Sequence, residues 1–145
     1  MAVTFTNNFK NILDKLRNIL RTEFKGAVPV YIGHESVQAS SQFIRLDPIN
    51  TQLLEYMASA ELREYNINIY YYFLDKNIKK TSLDHVLRYA SRIEALIHDN
   101  MSMTLTDSSK CINCRINTTE LNALDDEKEY VVQFSWAGQH LANVG

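Results

Sequence analysis

Residues 63–75 read REYNINIYYYFLD. Tyr65, Ile67, Ile69, Tyr71 and Phe73 alternate with Glu64, Asn66, Asn68, Tyr70 and Tyr72. A period of two is the signature of a strand with one buried face. The first set is apolar throughout and belongs on a core. The second is polar and then aromatic, so part of the other face is also expected to be covered. Those ten residues at about 3.3 Å each span roughly 33 Å, well beyond an ordinary strand. A strand of that length is expected at the centre of a sheet.

Downstream, residues 76–80 read as a turn and Thr81–Asn100 as a helix. Leu83, Val86, Leu87, Ala90, Ile93, Leu96 and Ile97 form its apolar stripe. Thr81, with Asp84 three positions on, resembles a capping box. Met101–Thr106 suggests an irregular strand. In Cys111–Asn117 the alternation sends Ile112, Cys114 and Ile116 inward and Cys111, Asn113 and Arg115 outward. Thr118–Lys128 reads as an acidic loop. Glu129–Trp136 is a last strand with Tyr130, Val132, Phe134 and Trp136 on one face, and Gly138–Gly145 reads as a tail, mobile until bound.

Upstream, Phe9, Ile12, Leu13, Leu16, Ile19 and Leu20 repeat at helical spacing over residues 1–25, with Thr6 or Asn7 as N-cap. Gly26 and Pro29 end that helix. Val28–Ile32 is a short strand, Gly33–Gln42 a loop, and Phe43–Asp47 a strand closed by Pro48. Residues 49–62 fit either a short helix or a long strand-to-strand connection, and the connection is favoured. The expected fold is therefore α+β: one domain over residues 1–145, a two-layer sandwich of about five mostly antiparallel strands with two amphipathic helices on one face. The other face is left for something else.

Bulk composition excludes several classes. The formal charge is −2 over 145 residues and the pI about 6.1, without the basic face that general nucleic-acid binding needs. The first residues are polar and unlike a signal peptide. The longest apolar run, Ile69–Leu74, falls far short of the roughly 20 residues of a membrane helix. Synthesis in the cytoplasm is expected, and no membrane partner.

Chemistry-bearing motifs are scarce. Cys111-Ile-Asn-Cys114 is a CxxC, but a zinc site needs two more ligands. In a strand, positions i and i+3 point to opposite faces, so the two cysteines are expected to be structural. His34, His85, His98 and His140 form no ligand spacing, and His85 and His98 fall on the polar side of their helix. No GxSxG, P-loop or GxGxxG occurs. No catalytic residue, metal site or cofactor is expected, and the chain reads as a non-enzyme. Tyr65, Tyr70, Tyr71 and Tyr72 have no interleaved Lys or Arg, which favours core and protein interface over base stacking.

Charge is distributed unevenly. Lys10, Lys15, Arg17, Arg21 and Lys25 outweigh Asp14 and Glu23 along the first helix, while Glu120, Asp125, Asp126, Glu127 and Glu129 face only Lys128 near the last turn. One reading is two solvated segments. The other is a contact between neighbouring copies through Arg17 and Arg21 on one side and Asp125, Asp126 and Glu127 on the other.

Three stretches, with the order of elements, resemble the tail terminator (tail completion, head-tail joining) proteins of long-tailed bacteriophages. They are FKNILDKLRNILRTEF before VPVYI; REYNINIYYYFLD, a turn and TSLDHVLRYASRIEALI; and CINCRIN with EYVVQFSW across the acidic loop. They cover most of residues 5–136. The resemblance implies a structural virion component without catalysis: a hexameric ring that caps the tail tube and joins it to the neck. It implies contacts with the tail tube protein and with neck or connector proteins, and double-stranded DNA passing through the lumen without specific binding. Location would be the tail-neck junction of the virion. Two other classes stay open, another neck protein (head completion or connector adaptor) and a non-viral α+β binding module.

Overall fold

The computed structural model describes residues 5–33, 41–74, 80–124 and 129–143. Two helices, α1 (Asn8–Phe24) and α2 (Lys80–Asp99), cover one face of a six-stranded sheet. The strands are β1 (Val30–Ile32), β2 (Gln42–Met57), β3 (Ala60–Leu74), β4 (Met103–Thr104), β5 (Lys110–Leu124) and β6 (Glu129–Asn143), in the spatial order β1-β2-β3-β6-β5-β4. β1 runs parallel to β2, and every other pair is antiparallel. No helix among the described residues is long and apolar enough to cross a membrane.

The alternating stretch is indeed the sheet's centre. β3 pairs with β2 on one side and β6 on the other, in an unbroken register from Ala60↔Asn143 to Leu74↔Glu129. Tyr65, Ile67, Ile69 and Tyr71 are buried beneath the helices, beside Ile44 and Leu46 of β2 and Val132, Phe134 and Trp136 of β6. α1 adds Ile12, Leu13, Leu16, Leu20 and Phe24. Its first turn is capped by Asn7, whose side-chain oxygen accepts from the Lys10 amide at 3.2 Å, and it ends in left-handed Lys25 and Gly26. α2 adds Val86, Ala90, Ile93 and Ile97. The helices meet where Arg92 Nε donates to Glu23 Oε1 at 2.8 Å and its guanidinium lies 4.6 Å from the Phe24 ring centroid.

Several expectations are corrected. Pro48 does not close β2. Ile44 N donates to Pro29 O and Leu46 O accepts from Gly33 N, so these alternate residues direct their backbone polar groups toward β1. Pro48 shares their parity, and its missing N–H falls on the outer edge, where no ladder bond is lost. The favoured connection over 49–62 is instead a hairpin arm, with bulges at Pro48/Asn50 and Leu53/Glu55 and a tight turn between Met57 and Ala60. Neither face of the β2 side is buried there, so apolar alternation had nothing to record. Thr118–Leu124 belongs to β5, and residues 138–143 of the expected tail belong to β6. Among the described residues there are six strands where about five were expected. Leu83 and Leu87 turn outward from α2, and both are exposed. The expected turn at 76–79, His34, the Thr81 side chain of the capping box and residues 144–145 lie outside the described residues.

Candidate assembly surface

Three features leave surface for a neighbour. The first is the sheet face that no helix covers among the described residues. Tyr31 of β1, Phe43 and Arg45 of β2 and Tyr70 and Tyr72 of β3 lie together on it. Phe43 stacks on Tyr72 at 4.6 Å between centroids and meets Tyr31 edge-on at 6.0 Å. The Arg45 guanidinium carbon sits 5.9 Å from the Phe43 ring and 5.7 Å from that of Tyr72. Arg45 Nε is buried without a hydrogen-bond partner, which leaves a donor held by aromatic walls. Arg and Tyr are the residues that most often anchor protein interfaces. Burial, ahead of the opposing pull of Arg45, raises the Tyr72 pKa, so its phenol stays a neutral donor. The rest of this face is polar, with Thr118 donating to Ser135 at 2.9 Å and Arg115 pairing with Glu64 at 3.3 Å.

The second feature is the hairpin arm. Ile49, Leu53, Leu54, Tyr56 and Met57 are all exposed on it. Cross-strand polar contacts, such as Asn66 Nδ2 to Asn50 Oδ1 at 2.7 Å, keep its register without a core beneath it.

The third is a pair of free strand edges. β1 covers β2 only at Ile44–Leu46, so β2 from Asp47 to Met57 has no outer strand among the described residues. β4 covers β5 only at Lys110–Cys111, so Arg115–Leu124 is equally free. Through the ladder, β2's free part lies level with the C-terminal half of β6, and β5's with the N-terminal half. The two edges are therefore on opposite sides of the sheet and at opposite ends. β2 and β5 also run in opposite directions. Long free edges invite pairing with another chain.

Of the charged residues singled out from the sequence, Arg21 donates to Val30 O at 3.2 Å and fastens α1 to β1. Arg17 lies 3.7 Å from Asp14 on the same helix. Asp125, Asp126 and Glu127 lie outside the described residues.

The histidines and cysteines differ from expectation. His98 is exposed, but His85 packs against Tyr89 and Phe73 at 4.3 and 5.0 Å between ring centroids. His140 is buried, with Nε2 2.9 Å from Ser109 Oγ and Nδ1 unpartnered. Burial lowers its pKa, against a weaker opposite pull from Asp107. Cys111 and Cys114 do not face opposite ways. A bulge between Ile112 and Arg115, with Asn113 at φ 54°, turns both thiols to the buried side and leaves Ile112 exposed. No cluster of three or more His, Cys, Asp or Glu suited to a metal occurs among the described residues. A shallow groove between α1 and α2, lined by Lys15, Asn18, Thr22, Glu23 and Asn100, pairs no nucleophile with a base.

No family model matches the chain, and no curated protein matches it. Solved structures do. One chain of the virion of a native gene transfer agent particle superposes with a TM-score of 0.65 at 7% identity, covering 95% of this chain and 100% of that one. A second structure gives 0.59 at 12% identity, covering 98% and 99%. At these identities the likeness is one of fold, over essentially the whole length of both chains.

Proposed function

We propose that this chain is a structural component of a phage-like virion, and within it a subunit of the ring that ends the tail tube and joins it to the neck. The reading is supported by the fold shared with a chain of a gene transfer agent virion. The observation that carries it is the placement of the two free edges. β2 and β5 are antiparallel, so the β2 edge of one copy can continue the sheet past the β5 edge of the next. The contact joins two different patches and is head-to-tail, which closes into a ring when the rotation permits. Because the edges sit at opposite ends, each added copy is displaced along the strands. A closed sheet requires such a stagger, with strands tilted to the ring axis. The mild negative charge suits a lumen through which DNA passes without being held.

The backbone parity names the test. Pairing through β3 makes Thr51 and Leu53 point their backbone groups off the outer edge of β2. Pairing through β6 does the same for Thr119 and Leu121 on β5. Leu53→Pro and Leu121→Pro each remove one outward donor and no internal ladder bond. Each variant alone should stay folded and fail to form rings in electron microscopy and mass measurement. Mixed together, they retain one intact edge of each kind and should give dimers only. Rings from either variant, or a wild type that is monomeric at every concentration, would overturn the reading.

A further inference from the structure

We propose that Cys111 and Cys114 form an oxidation site that closes to an intrachain disulfide within the folded protein. In a regular strand these positions would diverge. Here the Asn113 bulge brings their Sγ atoms to 3.6 Å, in hydrogen-bond contact, while the Cys114 thiol also faces the Cys111 carbonyl at 3.5 Å. Asn is among the few residues that accept a left-handed backbone. A disulfide needs about 2.05 Å between sulfurs, so closure asks for a short approach along a line the thiols already share. Asn113 and Cys114 have no ladder partner on β6; the Cys114 amide donates instead to Met101 O at 2.9 Å, which holds the bulge in place.

The two thiols are not equivalent. In the resting pair Cys114 Sγ donates to Cys111 Sγ. Once Cys114 loses its proton, Cys111 can donate back, and that contact, with the Arg115 guanidinium, favours the Cys114 thiolate against the opposing effect of burial. The same contact, and then burial, push the Cys111 thiol up. Cys114, beside Arg115, is therefore the attacking group and Cys111 the resolving one. Burial of both admits only a small oxidant, and a hydroperoxide is the class that fits. The Cys114 thiolate attacks one peroxide oxygen. The O–O bond breaks, hydroxide leaves and takes up a proton as water, and Cys114 becomes a sulfenic acid. The Cys111 sulfur then attacks Cys114 Sγ as its proton passes to the departing oxygen. The S–S bond forms, the S–O bond breaks and a second water leaves. The two thiols lose two electrons and hydrogen peroxide gains them. Reducing cytosol would keep the pair open, and exposure outside a cell would close it. This step does not depend on the ring, and either proposal can fail without the other.

Hydrogen peroxide added to the full-length folded protein tests it. Trypsin cuts after Lys110 and Arg115, so one peptide, Cys111–Arg115, carries both thiols. It should become lighter by two hydrogens, both thiols should disappear together, and a thiol reductant should restore them. Trp136 gives a second readout, because its indole and Cys111 Sγ both lie within 3 Å of the point where a Cβ on Gly138 would stand; its fluorescence should fall on oxidation and recover on reduction. In Cys111→Ser the oxidation of Cys114 should stop at the sulfenic acid, trapped by a dicarbonyl probe. Should that variant not fold, the wild-type peptide mass decides alone. Added oxygen on one cysteine, a disulfide between chains, or reaction only after unfolding would each overturn the proposal.

Discussion

The indole of Trp136 lies across Gly138 on the buried face of β6, so that a Cβ at position 138 would stand 2.5 Å from Trp136 Cη2. Cys111 Sγ would be 2.8 Å away on another side. The glycine is required by packing, since its backbone is ordinary strand. Gly138→Ala should destabilise the protein by about 1–3 kcal/mol, the usual cost of overpacking. A chemical-denaturation midpoint equal to wild type would show that the indole has somewhere else to go.

Ile69 and Ile93 are fully buried on β3 and α2. Ile69→Ala and Ile93→Ala should each cost about 2–5 kcal/mol. Leu87, once expected in the same stripe, is 46% exposed, and Leu87→Ala should cost less than either. Equal losses at Leu87 and Ile93 in urea titrations would reverse the facing assigned to α2.

His140 makes stability depend on pH. It is held neutral by burial, whereas in the unfolded chain it takes up a proton near about 6.5. Below that value the unfolded state binds more protons, so its contribution is whole above about pH 6.5 and is lost as pH falls toward the lowered folded pKa. The slope in that window is at most about 1.4 kcal/mol per pH unit for one group. Denaturation at a series of pH values should show it, and His140→Gln should flatten it. A slope unchanged in the variant would assign the effect to other groups.

The charge contact between copies is a separate expectation. Asp125→Lys with Asp126→Lys should weaken ring formation, and Arg17→Glu with Arg21→Glu in that background should restore it in part. Surface ion pairs in general contribute only about 0–1 kcal/mol each, so the readout is ring mass across a salt series in which the Debye length falls from about 10 Å to 3 Å. Arg21 also holds Val30 O, so monomer stability must be measured beside assembly. Rings unaffected by the acidic reversals at low salt would leave the strand edges as the sole contact.

What the sequence disclosed follows from where burial is one-sided. The alternation of Tyr65–Phe73 and the stripes of Ile12–Leu20 and Val86–Ile97 are written by a core on one side, and they give the layers and the central strand. The outer half of β2 has no core on either side, so Thr51–Met57 carries no alternation and reads as a connection. β6 past Trp136 places Gly138 on the buried face beneath the indole, so no apolar side chain marks that position and the segment reads as a tail. The CxxC was misjudged because a bulge shifts the period by one residue, and the only trace of it is Asn113, a residue tolerant of positive φ. The outward aromatic group was half visible as Tyr70 and Tyr72, but Tyr31, Phe43 and Arg45 join it only through the register of three strands.

The register between β3 and β6 also governs when the molecule can form. The hairpins β2–β3 and β5–β6 are local in the chain, but the pairings that unite them join Leu74 to Glu129 and Ala60 to Asn143. Contacts so distant in sequence make for slow folding. During synthesis β3 therefore has one whole edge unpaired while α2, β4 and β5 emerge, until residues 129–143 arrive to cover it. Protection of that waiting edge would set the yield of assembly-competent subunits.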